Sequence, residues 1–210
     1  LFDQVSGKLT FQPQHFSRFT AVYKNVSFND IESLTALASD SIRAIAARGI
    51  IVGKESGKYD PQGQLTRAEF VQMLVRLFDA ADPSATSKLT DVKAGAWYYN
   101  AVASAEKLGI VQGKPDGSFG KNDVLTRQDM AVLLHRALLV SGYSLPLNDK
   151  TVALFTDEVN ISAYAKKEVE ALKQANILAT NVDGSYGPKT KVNRAEAAVL
   201  LNSFLQAINH

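Results

Sequence analysis

The chain has 210 residues, 46% of them hydrophobic, and a net charge of +2 from 23 basic and 21 acidic side chains. That length can hold a packed core in one domain or a few small units, and the balanced charge, with no basic stripe interleaved with aromatics, argues against a nucleic-acid partner. The absence of cysteine excludes disulfides and thiolate metal sites, and no apolar run approaches the roughly 18–20 residues needed to span a bilayer, so no membrane insertion is expected. The sequence starts at Leu1 without Met and reads as a piece of a longer protein.

Residues 1–25 stand apart. Leu9 and Phe11 alternate with polar residues and "FTAVY" (19–23) is β-prone, so this stretch reads as the last strands of a preceding β-domain, or as a segment wrapped along the helical units. From there the chain repeats. Arg67 superimposes on Arg127 with a shift of 60 and Arg127 on Arg194 with a shift of 67. The same shifts align "GIIVG" (49–53), "GIVQG" (109–113) and "NILAT" (176–180), and the loops "SGKYDPQGQL", "DGSFGKNDVL" and "DGSYGPKTKV". The predicted units are 26–79, 80–140 and 141–210.

Each unit opens with a short segment carrying an aspartate: Asp30, Asp91 or Asp157. A first helix follows, with apolar positions at helical spacing: Ile42, Ile45 and Ala46; Val102, Ala105 and Leu108; Val169, Leu172 and Ala175. Gly49, Gly109 and Asn176 stop it. After a turn-rich loop comes a second helix, with stripes through Phe70, Met73, Leu74 and Leu77, then Met130, Leu133, Leu134 and Leu138, then Leu200, Leu201, Phe204 and Leu205. Segments 79–88 and 141–152 read as linkers. A unit of about 55 residues buries little surface alone. The predicted fold is therefore mainly α, a pseudo-threefold arrangement of helix–loop–helix repeats around a central three-helix bundle, with grooves at the joints.

The second helix starts at "LTRAEF" (65–70), "LTRQDM" (125–130) and "VNRAEA" (192–197). Helix initiation accounts for most of this motif. Thr66 with Glu69, Thr126 with Asp129 and Asn193 with Glu196 form capping boxes, and the flanking apolar residues form a hydrophobic staple. It does not account for Arg67, Arg127 and Arg194, three cations at the positive end of a helix dipole. Two explanations stand: an ion pair to a neighbouring unit, with the recurrent aspartate as one partner, or an anion site built from free helix N–H groups and a guanidinium fork.

Other chemistry finds no support. "PDGSFGKND" (115–123) hints at a calcium loop, but the twelfth position from Asp116 is Arg127 where an acidic ligand is needed. His15, His135 and His210 lack partners at metal-ligand spacing, and His135 is expected partly buried or at the surface. No nucleophile elbow, phosphate loop or dinucleotide fingerprint appears, so no catalytic residues, metal or cofactor are assigned and the chain is not expected to be an enzyme.

The motif at 66–69, 126–129 and 193–196, the glycine turns, the "DGSF" and "DGSY" loops and the aspartate openings together resemble the S-layer homology domain family over residues 26–207. The resemblance implies three units in a pseudo-trimer at the bacterial cell surface, holding a host protein non-covalently to a secondary cell-wall polysaccharide. It implies that pyruvylated N-acetylmannosamine binds in grooves between units, its carboxylate meeting Arg67, Arg127 or Arg194. Gly53 and Gly113 would let the ligand approach, and Asp30, Asp91 and Asp157 join the expected site. Trp97 either stacks on the sugar or packs against its own unit. Thr180, where the other units have glycine, makes the groove built on the third loop the least expected to bind. The partner is then an anionic glycan and the chain a monomer in isolation. The alternative is a self-assembly module with the arginines in internal ion pairs.

Overall fold

A computed structural model describes residues 2–3, 8–9, 25–55, 57–143, 145 and 155–208. Near the N-terminus, β1 (Phe2–Asp3) pairs antiparallel with β2 (Lys8–Leu9). The β-prone stretch 19–23, Phe11, His15, His210 and most of the second linker lie outside the described residues. The described residues also form six helices joined by loops: α1 (Ala36–Ala47), α2 (Arg67–Leu77), α3 (Tyr99–Lys107), α4 (Arg127–Val140), α5 (Lys166–Gln174) and α6 (Arg194–Ile208), with 3-10 turns at Glu158–Asn160 and Ala163–Ala165.

The threefold repeat extends to single hydrogen bonds. Asn29, Thr90 and Thr156 each donate their backbone N–H to the carbonyl of a loop glycine (Gly57, Gly117, Gly184). Gly49, Gly109 and Asn176 follow the first helices with φ of 73°, 78° and 58°, the left-handed geometry that ends a helix. The predicted apolar faces of α1, α3 and α5 are buried, with one correction. Leu108 is 41% exposed, because α3 ends at Lys107 and Leu108, as C-cap, leaves the helical face. His135 is also a correction: it is buried on α4, and burial holds its imidazole below the ordinary histidine value.

Helix pairing crosses unit boundaries. α3 packs on α2, α5 on α4, and α1 on α6, so each motif helix supports the first helix of the next unit and the last pair closes the ring. The three motif helices start around a closed cycle of backbone bonds. Leu65 N–H donates to Val192 C=O (3.1 Å), Val192 N–H to Leu125 C=O (3.0 Å), and Leu125 N–H to Leu65 C=O (3.1 Å). All three side chains are buried there, as are Leu74, Leu134 and Leu201, each nine residues further along its chain.

Candidate functional site

The capping geometry is present in all three units. Thr66 and Thr126 accept from the backbone N–H of Glu69 and Asp129, and each acid accepts from the cap's own N–H. Asn193 and Glu196 exchange the same pair of bonds at 2.8 and 2.9 Å.

The next two N–H groups of each helix are not free, which corrects the expectation of an open helix N-terminus. Arg67 and Ala68 donate to the carbonyls of Asp123 and Lys121, in the loop of the second unit. Arg127 and Gln128 donate to Thr190 and Pro188 of the third unit, and Arg194 and Ala195 to Gly63 and Pro61 of the first. A neighbouring loop supplies the partial negative charge that a helix start favours, which offsets the cation placed beside it.

Each arginine side chain follows the same route. The guanidinium of Arg67 lies 5.0 Å from the centre of the Phe119 ring, that of Arg127 5.1 Å from Tyr186, and that of Arg194 4.6 Å from Tyr59. The rings are buried in the next unit's loop, and the Tyr59 and Tyr186 hydroxyls donate back to the Arg194 and Arg127 carbonyls at 2.8 and 2.7 Å. Burial raises both phenols well above the usual tyrosine value.

The arginines then diverge. Arg194 is 4% exposed; its Nε donates to Tyr59 O (3.0 Å), Nη2 to Val52 O (2.8 Å), and Nη1 lies 3.5 Å from Glu69 Oε1. Arg127 donates to Tyr186 O, to Asn181 Oδ1 (3.2 Å) and to Ala179 O (3.4 Å). Arg67 donates to Gln112 O (3.3 Å), its Nε is buried without an acceptor, and burial lowers its pKa. Among the described residues, Arg194 alone of the three makes an ion pair with a carboxylate.

The recurrent aspartates do not meet the arginines. Asp30 accepts from the backbone N–H groups of Tyr59 and Asp60, Asp91 from Phe119, Gly120 and Lys121, and Asp157 from Tyr186 and Gly187. They fold each loop into the platform on which an arginine rests.

Three grooves lie at the joints. One, of about 530 Å³, brings Arg194 together with Gly53, Lys54, Glu69, Arg76 and Trp97. A second, of about 520 Å³, brings Arg67 together with Gly113, Lys114, Asp129, Arg136 and Tyr164. The third, of about 350 Å³, holds Arg127 among Leu34, Ala38, Leu178, Val199 and Leu200. Trp97 is 59% exposed on its groove wall, in edge contact with Tyr98. Gly53 and Gly113 line their grooves, yet what requires glycine lies inside the unit. A Cβ on Gly53 would sit 2.4 Å from Lys58 O, and one on Gly113 2.5 Å from Leu89 Cδ2. The additional cations Lys54, Lys114, Arg76 and Arg136 escaped the sequence reading. Their signal was available, since Lys54 and Lys114, like Arg76 and Arg136, are related by the 60-residue shift of the motif. Asn181 and Ser203 take these places in the third unit, and Leu37 of the first unit takes the place of Trp97 and Tyr164.

A family model described as "S-layer homology domain" matches residues 27–71, 88–131 and 154–198. The chain is 34% identical over 206 residues to an amylopullulanase of Thermoanaerobacterium thermosulfurigenes, covering 97% of this chain and 11% of that protein. It is 33% identical over 189 residues to exoglucanase XynX of Acetivibrio thermocellus (89% and 17%) and 30% identical over 162 residues to the S-layer protein sap of Bacillus anthracis (76% and 19%). The chain thus spans between 11% and 19% of the length of these relatives. Three family matches, set on three units that close into a ring, make the chain a member of the S-layer homology domain family, the non-catalytic anchoring modules of the bacterial cell surface.

Proposed function

We propose that this module holds its host protein to the cell wall by binding an anionic secondary cell-wall polysaccharide, through pyruvylated N-acetylmannosamine seated in the grooves between units. The observation that carries the reading is the pair of grooves headed by Arg194 and Arg67, each with a second arginine, a lysine and an exposed aromatic on the facing wall. A guanidinium held on an aromatic platform presents its remaining donors to a carboxylate in fixed geometry. The indole of Trp97 and the phenol of Tyr164 offer flat faces to a sugar ring.

Calorimetric titration with pyruvylated N-acetylmannosamine, beside the same sugar without pyruvate, tests this. Binding that requires pyruvate is the expected result, weakening as salt rises because charge carries part of it. Heat from neither sugar, and no retention on purified wall polysaccharide, overturns the reading. The self-assembly alternative draws on the Arg194–Glu69 ion pair. It calls for concentration-dependent association in the absence of wall material, which sedimentation measures.

A further inference from the structure

We infer that the groove headed by Arg67 is the primary carboxylate site of the three, and that Tyr164 makes it so by holding Asp129 away from the guanidinium. The inference rests on the anchoring reading above and concerns which groove fills first and why.

Each groove contains a potential competitor for the ligand. The acid of the capping box (Glu69, Asp129 or Glu196) lines the same groove as the arginine arriving from another unit. A carboxylate of the protein that reaches the guanidinium must be displaced before a ligand carboxylate can bind. In the Arg194 groove the competitor has engaged. Glu69 keeps Oε2 on Thr66 and turns Oε1 toward Arg194 (3.5 Å) and Lys54 (3.8 Å). Arg194 also spends donors on two loop carbonyls, so little of its fork is left. In the Arg127 groove three acceptors of the protein engage the guanidinium, and the places of the second arginine and the lysine are held by Ser203 and Asn181.

The Arg67 groove is different on both counts. Asp129 Oδ2 is committed to Thr126, and Oδ1 accepts the Tyr164 hydroxyl at 2.6 Å. That hydroxyl is itself fixed by Gln128 Nε2 at 2.9 Å, and Gln128 is buried and bonded twice to Ser162. Both oxygens of the competitor are thus occupied by groups other than Arg67. The Arg67 guanidinium donates to Gln112 O at 3.3 Å, and its Nη1 is engaged by no carboxylate among the described residues, which leaves donors for a carboxylate entering the groove. Arg136 lines the same groove and adds charge of the right sign, while Lys114 beside it is paired with Asp123 at 2.6 Å. Trp97, which occupies the place of Tyr164 in the Arg194 groove, has no hydroxyl with which to restrain Glu69. Tyr164 is therefore a positioning residue that acts through Asp129.

The test is a ¹⁵N NMR titration of the whole chain with the pyruvylated monosaccharide, reading the backbone amides of Gly113, Gly53 and Ala179 as one reporter per groove. Gly113 is expected to saturate at about tenfold lower sugar concentration than Gly53, with Ala179 last. Tyr164→Phe is expected to weaken the Gly113 site about five- to tenfold while the spectrum stays folded, and adding Asp129→Asn to that variant restores most of the loss. Glu69→Gln moves the Gly53 site the other way, to about threefold tighter binding. Equal affinity at Gly53 and Gly113, or a Tyr164→Phe variant that binds as wild type, overturns the inference and leaves the anchoring reading standing. Silence at all three reporters overturns the inference, and with no retention on purified wall polysaccharide it overturns the anchoring reading as well.

Discussion

Removing the Asp91 carboxylate tests the claim that the recurrent aspartates fold the loops. Asp91 accepts from the backbone N–H groups of Phe119 (2.6 Å), Gly120 (3.0 Å) and Lys121 (3.0 Å). Water can reach a half-buried carboxylate, so each bond is taken at about 1 kcal/mol net, below the range for a dry charged acceptor. Asp91→Ala should then lower stability by about 2–4 kcal/mol, and Asp91→Asn, which keeps one acceptor oxygen, by roughly half as much. Urea denaturation followed by circular dichroism reads this directly, with unchanged slope if the native fold survives. The pH dependence has a defined sign. Burial pushes the Asp91 pKa upward, and the N–H groups of Lys121, Phe119 and Gly120 outweigh it, so the folded value lies below 3.8. The stabilisation is therefore full above the unfolded value of about 3.9 and is lost as pH falls through the lower folded value. The gap between wild type and Asp91→Ala should hold steady from neutral pH to about pH 5 and close in more acid solution. A loss under about 0.5 kcal/mol at neutral pH, or a gap that persists unchanged at low pH, would show that the loop holds its shape without the carboxylate.

Gly53→Ala should cost more than Gly113→Ala, about 2–4 against 1–2 kcal/mol by the same denaturation assay, because the first Cβ meets the Lys58 carbonyl and the second only the end of the Leu89 side chain. Arg194→Ala should lower the melting temperature several times more than Arg67→Ala in calorimetric scans, since Arg194 is buried and bonded to two carbonyls and Glu69 whereas Arg67 has a single acceptor. Phe119→Tyr should stabilise by about 0.5–1.5 kcal/mol if its hydroxyl reaches the Arg67 carbonyl as Tyr59 and Tyr186 reach theirs, and a neutral or harmful effect in urea melts would mean that the second joint is too tight for it.

Helix starts and stops were legible because they are local. Thr66 and Glu69 lie three residues apart and answer each other, and Gly49, Gly109 and Asn176 adopt the left-handed backbone that their residue types favour. The pseudo-threefold arrangement was legible from the repeat, but its helix pairing was not, because nothing local says that α3 packs on α2 or that α1 meets α6. The aspartates show the same limit. Their recurrence was visible, but each binds a loop about 30 residues downstream in its own unit, as Asp91 does with Phe119. A pairing with the arginines was equally compatible with the spacing until the geometry was known.

The arginine at the helix start shows why a local anomaly can be a long-range solution. By the dipole alone Arg67 is misplaced, and no described residue of the first unit explains it. The ring of backbone bonds at Leu65, Val192 and Leu125 brings a different unit's loop against each helix start, and that loop supplies both a carbonyl for the Arg67 N–H and an aromatic platform for its guanidinium. The cation is therefore offset by groups 45 or more residues away, at Gln112, Phe119 and Asp123, and the same contact builds the groove wall. Joining the units and heading the grooves fall to one side chain per joint. The three joints divide that work unequally: Arg194 is committed to the joint, Arg127 is tied into its loop, and among the described residues Arg67 alone of the three retains a buried donor with no acceptor. A repeat identical in its first six motif residues would still give unequal grooves, because Tyr164 and Trp97 differ on two of the facing walls and the third unit places Asn181 and Ser203 where the others have lysine and arginine.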